Sequence, residues 1–346
     1  MILALHLSRA VLFRILAVAA ALGGLAMALD LVEAASDVLA SDEGGLLRYL
    51  ALRAPLILLA VLPISILIGP VLAFLTLSGR SEFTILRAAG VTTYRMLVSL
   101  IPLALILGAA LWVLSDRVAP RMEAILINWL ADKPASGSGA FWARTTNGVI
   151  RAQASSPSGD ILLDVDIFQT DRAGRMTARL DADIARFGEE GWRLENAVQL
   201  IPGQSESVAL GSIGWNTPMT PANVRALATP GRSIAGDVAG RVLEGNWAGN
   251  RAETFYRVRI FRGYAAWLIP FVMILLAAPA AYGLRRGGGF AKGAIWAVVG
   301  GFGFLLADGM LTSLGESGNM PPILAAFGAT ILFAAIGGWA LVTLEE

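Results

Sequence analysis

Cysteine is absent from the 346 residues, and histidine occurs once, at His6. The first absence excludes disulfides, thiol catalysis and cysteine-based zinc sites. The second leaves no material for a multi-histidine metal site and confines any histidine-dependent triad to one residue. Charge is scarce as well. Asp, Glu, Lys and Arg make up 15% of the chain, against about a quarter in an ordinary soluble domain. The net charge of +1 offers no broad electrostatic pull toward nucleic acid. What fills the space is apolar: 56% of residues are hydrophobic and the mean hydropathy is +0.65. Such a composition argues against a soluble globular enzyme.

Six apolar runs have the length of about 20 residues needed to cross a bilayer core. They cover Ala10–Leu31, Tyr49–Leu77, Met96–Val118, Gly263–Leu284, Phe290–Leu311 and Pro322–Leu344. The first is longer than the apolar core of a signal peptide. Asp30 and Glu33 follow it, although Ala34-Ala35-Ser36 keeps a cleavage site open. Lys and Arg in the short loops set the orientation. Arg9 and Arg14, then Arg80, Arg87 and Arg95, then Arg285, Arg286 and Lys292 belong to the cytoplasmic side. The acidic loop after span one and the loop after span five belong outside. Both termini are then cytoplasmic and the long middle segment is extracytoplasmic.

Within that middle segment the apolar period changes to two, the mark of half-buried strands. Ile161, Leu163, Val165 and Ile167 share a face opposite Asp164 and Asp166. Met176, Ala178, Leu180, Ala182 and Ile184 share another. Trp192, Leu194, Val198 and Leu200 oppose Arg193, Glu195 and Gln199. Turn-rich stretches separate these runs, which suggests a sandwich, jellyroll or similar all-β module. Beyond Ser233, a candidate N-cap, the pattern turns helical. The fold expected is an α-helical integral membrane protein of six transmembrane helices with an inserted extracytoplasmic all-β, jellyroll-like domain. Its divisions are residues 1–120, 121–260 and 261–346.

The chain has few residues for chemistry. Gly287 to Gly293 is a poor phosphate loop, lacking Gly before Lys292 and Ser or Thr after it. ATP, if used, belongs to a partner. Asp30, Asp116 and Asp308 lie near outer span ends, where interfacial placement explains them. Arg48, Arg53, Arg117 and Arg121 lie at the outer ends of spans two and three. As a basic rim they would suit lipid phosphates, or they anchor to ordinary headgroups. Asp308 sits deeper and could pair with an arginine or stay solvated. Between spans two and three, Ser81 is a fair N-cap, Glu82 suits a first turn, and Phe83, Leu86 and Ala89 form a seam ended by Gly90. This short amphipathic helix, near residues 80–92, either lies on the membrane surface or docks a partner.

Three spans, a β-rich insert and three more spans, with Arg80-Ser81-Glu82 and Arg87-Ala88-Ala89-Gly90 after span two, resemble the LptF/LptG permeases of lipopolysaccharide export. Pro63, Gly69, Val118-Ala119-Pro120, Phe141-Trp142-Ala143-Arg144, Ile167-Phe168, Trp192-Arg193-Leu194 and Pro321-Pro322 extend the match. The Trp142-Ala143-Arg144 entry, Asp308 and Pro321-Pro322 look more like the LptG branch than the LptF branch. The resemblance implies a β-jellyroll, a heterodimer with the paralogous LptF, and a cytoplasmic LptB ATPase dimer that holds ATP and magnesium. It also implies a periplasmic bridge of LptC and LptA, and lipopolysaccharide as cargo. No cofactor would be bound by this chain itself. Ser81, Glu82, Phe83, Leu86, Arg87, Ala88 and Gly90 would form the helix docking on the ATPase. The chain departs from the family in three respects: His6-Leu7 stands near the place where members often have an Arg-Tyr pair before span one, Met27, Asp30 and Glu33 stand where well-known LptG proteins carry lysines, and Ile127 and Leu130 where they carry arginines. The lipid-phosphate contacts therefore do not carry over.

Overall fold

The computed structural model describes residues 2–35, 45–79, 93–131, 141–145, 148–154, 158–171, 175–202, 207–228, 234–245, 249–282 and 289–345. They form two units, Met1–Met122 with Val258–Glu346, and Glu123–Arg257.

The first unit is helical. α1 (Ile2–Glu33) and α2 (Gly45–Gly79) are long and apolar. α3 (Thr93–Ser99) and α4 (Ile101–Val113) are separated at Leu100, ahead of Pro102. A π-helical turn, Leu114–Val118, joins α4 to α5 (Ala119–Ala131). After the β region come α8 (Glu253–Ala265), α9 (Ile269–Leu276), α10 (Pro279–Tyr282), α11 (Gly289–Glu316) and α12 (Pro322–Glu345). Among the described residues, five continuous stretches are long and apolar enough to span a membrane: His6–Glu33, Gly45–Thr76, Ile101–Ile127, Gly293–Glu316 and Pro322–Thr343. The remaining expected span is a broken pair, α8 and α9, bent by 58°. Its start moves outward from the expected Gly263, because α8 carries Arg257, Arg259 and Arg262, which the hydropathy pattern discounts.

Span three also differs from the expectation. Its helix runs through Val118-Ala119-Pro120 instead of ending there. Proline has no N–H and would break an ordinary α-helical ladder. Here the ladder widens first, with Ala119 N–H donating to the carbonyl of Leu114, five residues back. The π turn absorbs the proline.

The packing of this unit follows membrane rules. Lipid tails are as apolar as leucine, so helices associate through close contact rather than water exclusion. α1 buries a narrow stripe, Leu7, Val11, Ile15 and Ala19, at four-residue spacing. The stripe rests on α2, where Gly69 lets the backbones meet. A Cβ on Gly69 would stand 2.9 Å from both the Cα and the N of Ile15. Leu62, Ile66, Leu67, Val71 and Phe74 of α2, Leu103 and Leu107 of α4, Met273 of α9 and Phe304 of α11 complete the core. Phe13, Leu25 and Leu29 of α1 and Trp296, Leu306 and Met310 of α11 are exposed.

The second unit holds six antiparallel strands in sequential order: β1 (Phe141–Thr145), β2 (Gly148–Ala154), β3 (Ile161–Thr170), β4 (Met176–Gly188), β5 (Gly191–Leu200) and β6 (Val208–Trp215). α6 (Pro221–Ala228) adds Val224 and Leu227 to the core. α7 (Gly236–Leu243) begins after Ala235, and Ser233 lies outside the described residues.

The expected faces hold over half of each long strand and then switch parity. In β3, Val165 and Ile167 are buried as expected, but Leu162 is buried in place of Ile161 and Leu163. In β4, Ala178, Leu180 and Ala182 are buried, then Ala185 rather than Ile184. In β5, Trp192 and Leu194 are followed inward by Ala197, while Leu200 is exposed. The switch runs as a row across the sheet. Asp164, Asn196 and Gly211 have φ of 49°, 56° and 67°, and Asn196 donates to Asp183 at 2.9 Å. Asp, Asn and Gly are the residues that enter this left-handed region most readily. Bulges of this kind reset which residues face the core.

Gly69→Ala should destabilise the helical unit by about 1–3 kcal/mol, as overpacking against rigid backbone does. A thermal scan of the detergent-solubilised chain checks this, with Gly24→Ala, where no atom lies within 4 Å, as the neutral control.

Candidate functional site

Polar groups within the apolar helices are the first place to look for function, because a charge in hydrocarbon is costly. Arg14 illustrates the minimal solution, donating to the carbonyl of Ala10 at 2.9 Å, one turn toward the helix start. Two larger arrangements occur toward the opposite ends of the spans.

The first ties α1 to α2. Arg53 forks onto Asp30, with Nη2 to Oδ1 at 2.5 Å and Nε to Oδ2 at 2.9 Å. The Tyr49 hydroxyl donates to Asp30 Oδ2 at 2.6 Å. Tyr49 and Arg53 are four residues apart on α2, so both reach one carboxylate. A forked arginine–carboxylate pair is among the strongest polar contacts available. Of the four arginines proposed for a basic rim, Arg53 is thus committed to Asp30. Arg48 is exposed on the first turns of α2. Arg117 stacks on Trp112, its Cζ 5.4 Å from the ring centroid, and Arg121 is exposed on α5.

The second arrangement joins three spans. On α8, Arg259 and Arg262 are one turn apart. Arg262 Nη1 lies 3.0 Å from Asp308 Oδ2 of α11 and also donates to the Thr312 hydroxyl. Thr312 in turn donates to the carbonyl of Asp308 at 2.6 Å. Arg259 Nη2 donates to the backbone carbonyl of Ser115 in the π turn at 2.7 Å. Asp308 therefore has an arginine partner, one of the two outcomes left open by the sequence. The sequence reading missed both arginines because it began span four at Gly263. Their spacing of three on one helix was the available signal.

Just beyond these arginines the helix breaks at Ala266, Trp267 and Leu268. Trp267 packs on Trp112 with centroids 6.0 Å apart. Gly108 of α4 makes room for it, since a Cβ there would lie 2.7 Å from the Trp267 carbonyl oxygen.

The β unit has a polar network of its own. Asp166 accepts from Arg151 at 2.9 Å and from Arg179 at 2.9 Å, and Arg179 also reaches Asp181 at 2.7 Å. Trp142 stacks on Phe168 at 6.0 Å beside Arg179. Burial works against the charge on Asp166, but the two arginines outweigh it and hold the carboxyl below 3.8. Burial and then the neighbouring Asp166 push Asp181 above 3.8, against the pull of Arg179. Among the described residues no cluster of acidic or histidine side chains could hold a metal ion. Ser81, Glu82, Phe83, Leu86, Arg87, Ala88 and Gly90 lie outside the described residues.

The order of spans, sheet and spans can now be compared with known proteins. The family model for the lipopolysaccharide export system permease LptF/LptG matches residues 5–343. The chain belongs to the LptF/LptG family. It is 25% identical over 313 residues to the lipopolysaccharide export system permease protein LptG of Escherichia coli strain K12, covering 87% of this chain and 86% of that protein. The same figures hold for LptG of Escherichia coli O6:H1 strain CFT073. As an LptF/LptG permease it is a multi-span membrane protein, and both charged arrangements lie in its membrane unit.

The two carboxylates of the β unit should titrate in opposite senses. Asp166 binds its proton less readily when folded, so its contribution is full above pH 3.8 and fades as pH falls through its lower folded value. Asp181 binds its proton more readily when folded, so its charge opposes folding once pH rises above 3.8. At pH 7, Asp166→Asn should lower the unfolding temperature of the β unit and Asp181→Asn should raise it. At pH 3 the gain from Asp181→Asn should vanish. Hydrogen exchange of the β-unit amides during thermal unfolding of the full chain in detergent distinguishes these cases.

Proposed function

We propose that this permease is the LptG-type subunit of an ATP-driven exporter that lifts lipopolysaccharide from the periplasmic leaflet of the inner membrane. The observation carrying this reading is the family match over residues 5–343, together with the order of helices, six-stranded sheet and helices. Both termini are cytoplasmic and the β unit is periplasmic, as the distribution of Lys and Arg between short loops favours. The paralogous LptF completes a heterodimer, with the exposed apolar faces of α1 and α11 available for the partner and the lipid. The six-stranded meander is part of a jellyroll that passes lipid to a bridge of LptC and LptA.

Energy has to come from outside the chain. Withdrawing an acyl chain from a bilayer costs about 0.8 kcal/mol per CH₂. A cytoplasmic LptB dimer supplies it by hydrolysing magnesium-bound ATP. The segment with Ser81, Glu82, Phe83, Leu86, Arg87, Ala88 and Gly90 docks on that dimer, with Glu82 as the acidic contact. For hydrolysis to move lipid, this segment has to contact the ATPase differently in its two states. Arg48, Arg53, Arg117 and Arg121 are the basic groups nearest the lipid headgroups, with Arg53 reaching them only by exchange from Asp30.

Co-purification from detergent with the host's soluble ATPases tests the reading, with LptF present. An ATPase should accompany the wild type and be lost with Glu82→Lys. If none accompanies the wild type, the chain is a membrane-anchored scaffold whose β unit binds a periplasmic protein.

A further inference from the structure

The arginine pair on α8 has a physical cause that connects it to the π turn. In an α-helix the carbonyl of Ser115 would accept the N–H of Ala119. In the π turn that N–H goes to Leu114 instead. The π pattern would then offer the Ser115 carbonyl the N–H of residue 120, but that residue is Pro120 and has none. Two local features thus combine to orphan one backbone carbonyl within the third span. An unsatisfied carbonyl in hydrocarbon costs several kcal/mol. Arg259 supplies the missing donor from the neighbouring helix, at 2.7 Å.

One turn along the same helix, Arg262 reaches a different neighbour, Asp308 and Thr312 of span five. Three residues further on, α8 ends and the chain turns by 58° into α9. The side chains of Arg262 and Asp308 are only 28% and 13% exposed, so neither charge has ready access to water once its partner is gone.

We infer that Arg259 and Arg262 form a two-sided clamp that makes the outer parts of spans three, four and five one body, up to the break at residues 266–268. In the export reading proposed above, on which its functional role rests, the two arginines are positioning residues. They carry movement of span four to span five, whose exposed Trp296, Leu306 and Met310 face lipid or the paralogue. The clamp gives a basic helix at the head of a membrane span its physical reason. It also explains why Pro120 is tolerated within the third span.

The absence of cysteine makes the test direct, since spin labels attach only where cysteine is introduced. Tyr264, Met310 and Val113 are exposed on α8, α11 and α4. The full chain in nanodiscs would carry labels at Tyr264→Cys with Met310→Cys, or at Tyr264→Cys with Val113→Cys. Electron paramagnetic resonance would then give the two distance distributions. Asp308→Asn should broaden the 264–310 distribution and leave 113–264 narrow. Arg259→Gln should do the reverse. Unchanged widths, or both widths broadening together with either variant, overturn the clamp.

The second readout is lipid released per ATP hydrolysed by the reconstituted exporter. Asp308→Asn should lower it by about tenfold in complexes that assemble normally, the scale of an ordinary coupling between sites. Arg262→Lys with Asp308 intact should recover most of it. Altered distances with an unchanged ratio would make the clamp architectural and overturn its positioning role. If the wild type releases no lipid, the export reading fails, while the distances still decide whether the clamp exists.

Discussion

Within a bilayer, every carbonyl, amide and charge has to find its partner in the protein. That constraint explains more of this molecule than any single apolar contact. In water an unpaired Ser115 carbonyl would simply be hydrated. In the third span it is served by an arginine from another helix. Asp30 and Arg53, and Asp308 and Arg262, satisfy each other in the same way, each pair uniting two spans. The apolar residues decide that these helices enter a membrane. The few polar ones decide which helices touch and at what height, because an arginine can reach its acceptor in very few registers.

The membrane plan was legible in the sequence because long apolar runs depend on composition alone. The loop arginines, the β insert and the family motifs required no tertiary knowledge either. What escaped was local. Span four was placed too late because Arg257, Arg259 and Arg262 lower the hydropathy of α8, and hydropathy does not register a partner on another helix. The apolar run stops at Val118, yet the helix continues through Pro120. The π turn that accommodates it leaves no mark on apolar periodicity. Asp308 stands out in the sequence, but nothing there tells which arginine it meets.

The β unit shows the same division. Alternation correctly located β3, β4 and β5, since period two is a strong signal over ten residues. It failed at one row, where Asp164, Asn196 and Gly211 take left-handed conformations and exchange the inward and outward positions. A hydrophobic pattern read with one fixed phase cannot follow such a change. Asp and Asn in mid-strand were the visible sign, because these residues gain little from a regular ladder and adopt positive φ at low cost.

The two ion pairs also bear on how a permease of this family can recognise its cargo. An arginine can turn its full fork to a lipid phosphate only if its present partner is given up. Arg53 would have to leave a forked contact with Asp30 that Tyr49 reinforces. Such an exchange favours a ligand carrying enough negative charge to replace a carboxylate, and it disfavours a neutral headgroup that cannot. Arg48, five residues earlier on the same helix, is exposed. Selectivity of this kind comes from the cost of breaking an existing contact, and it does not require an arginine left waiting in hydrocarbon.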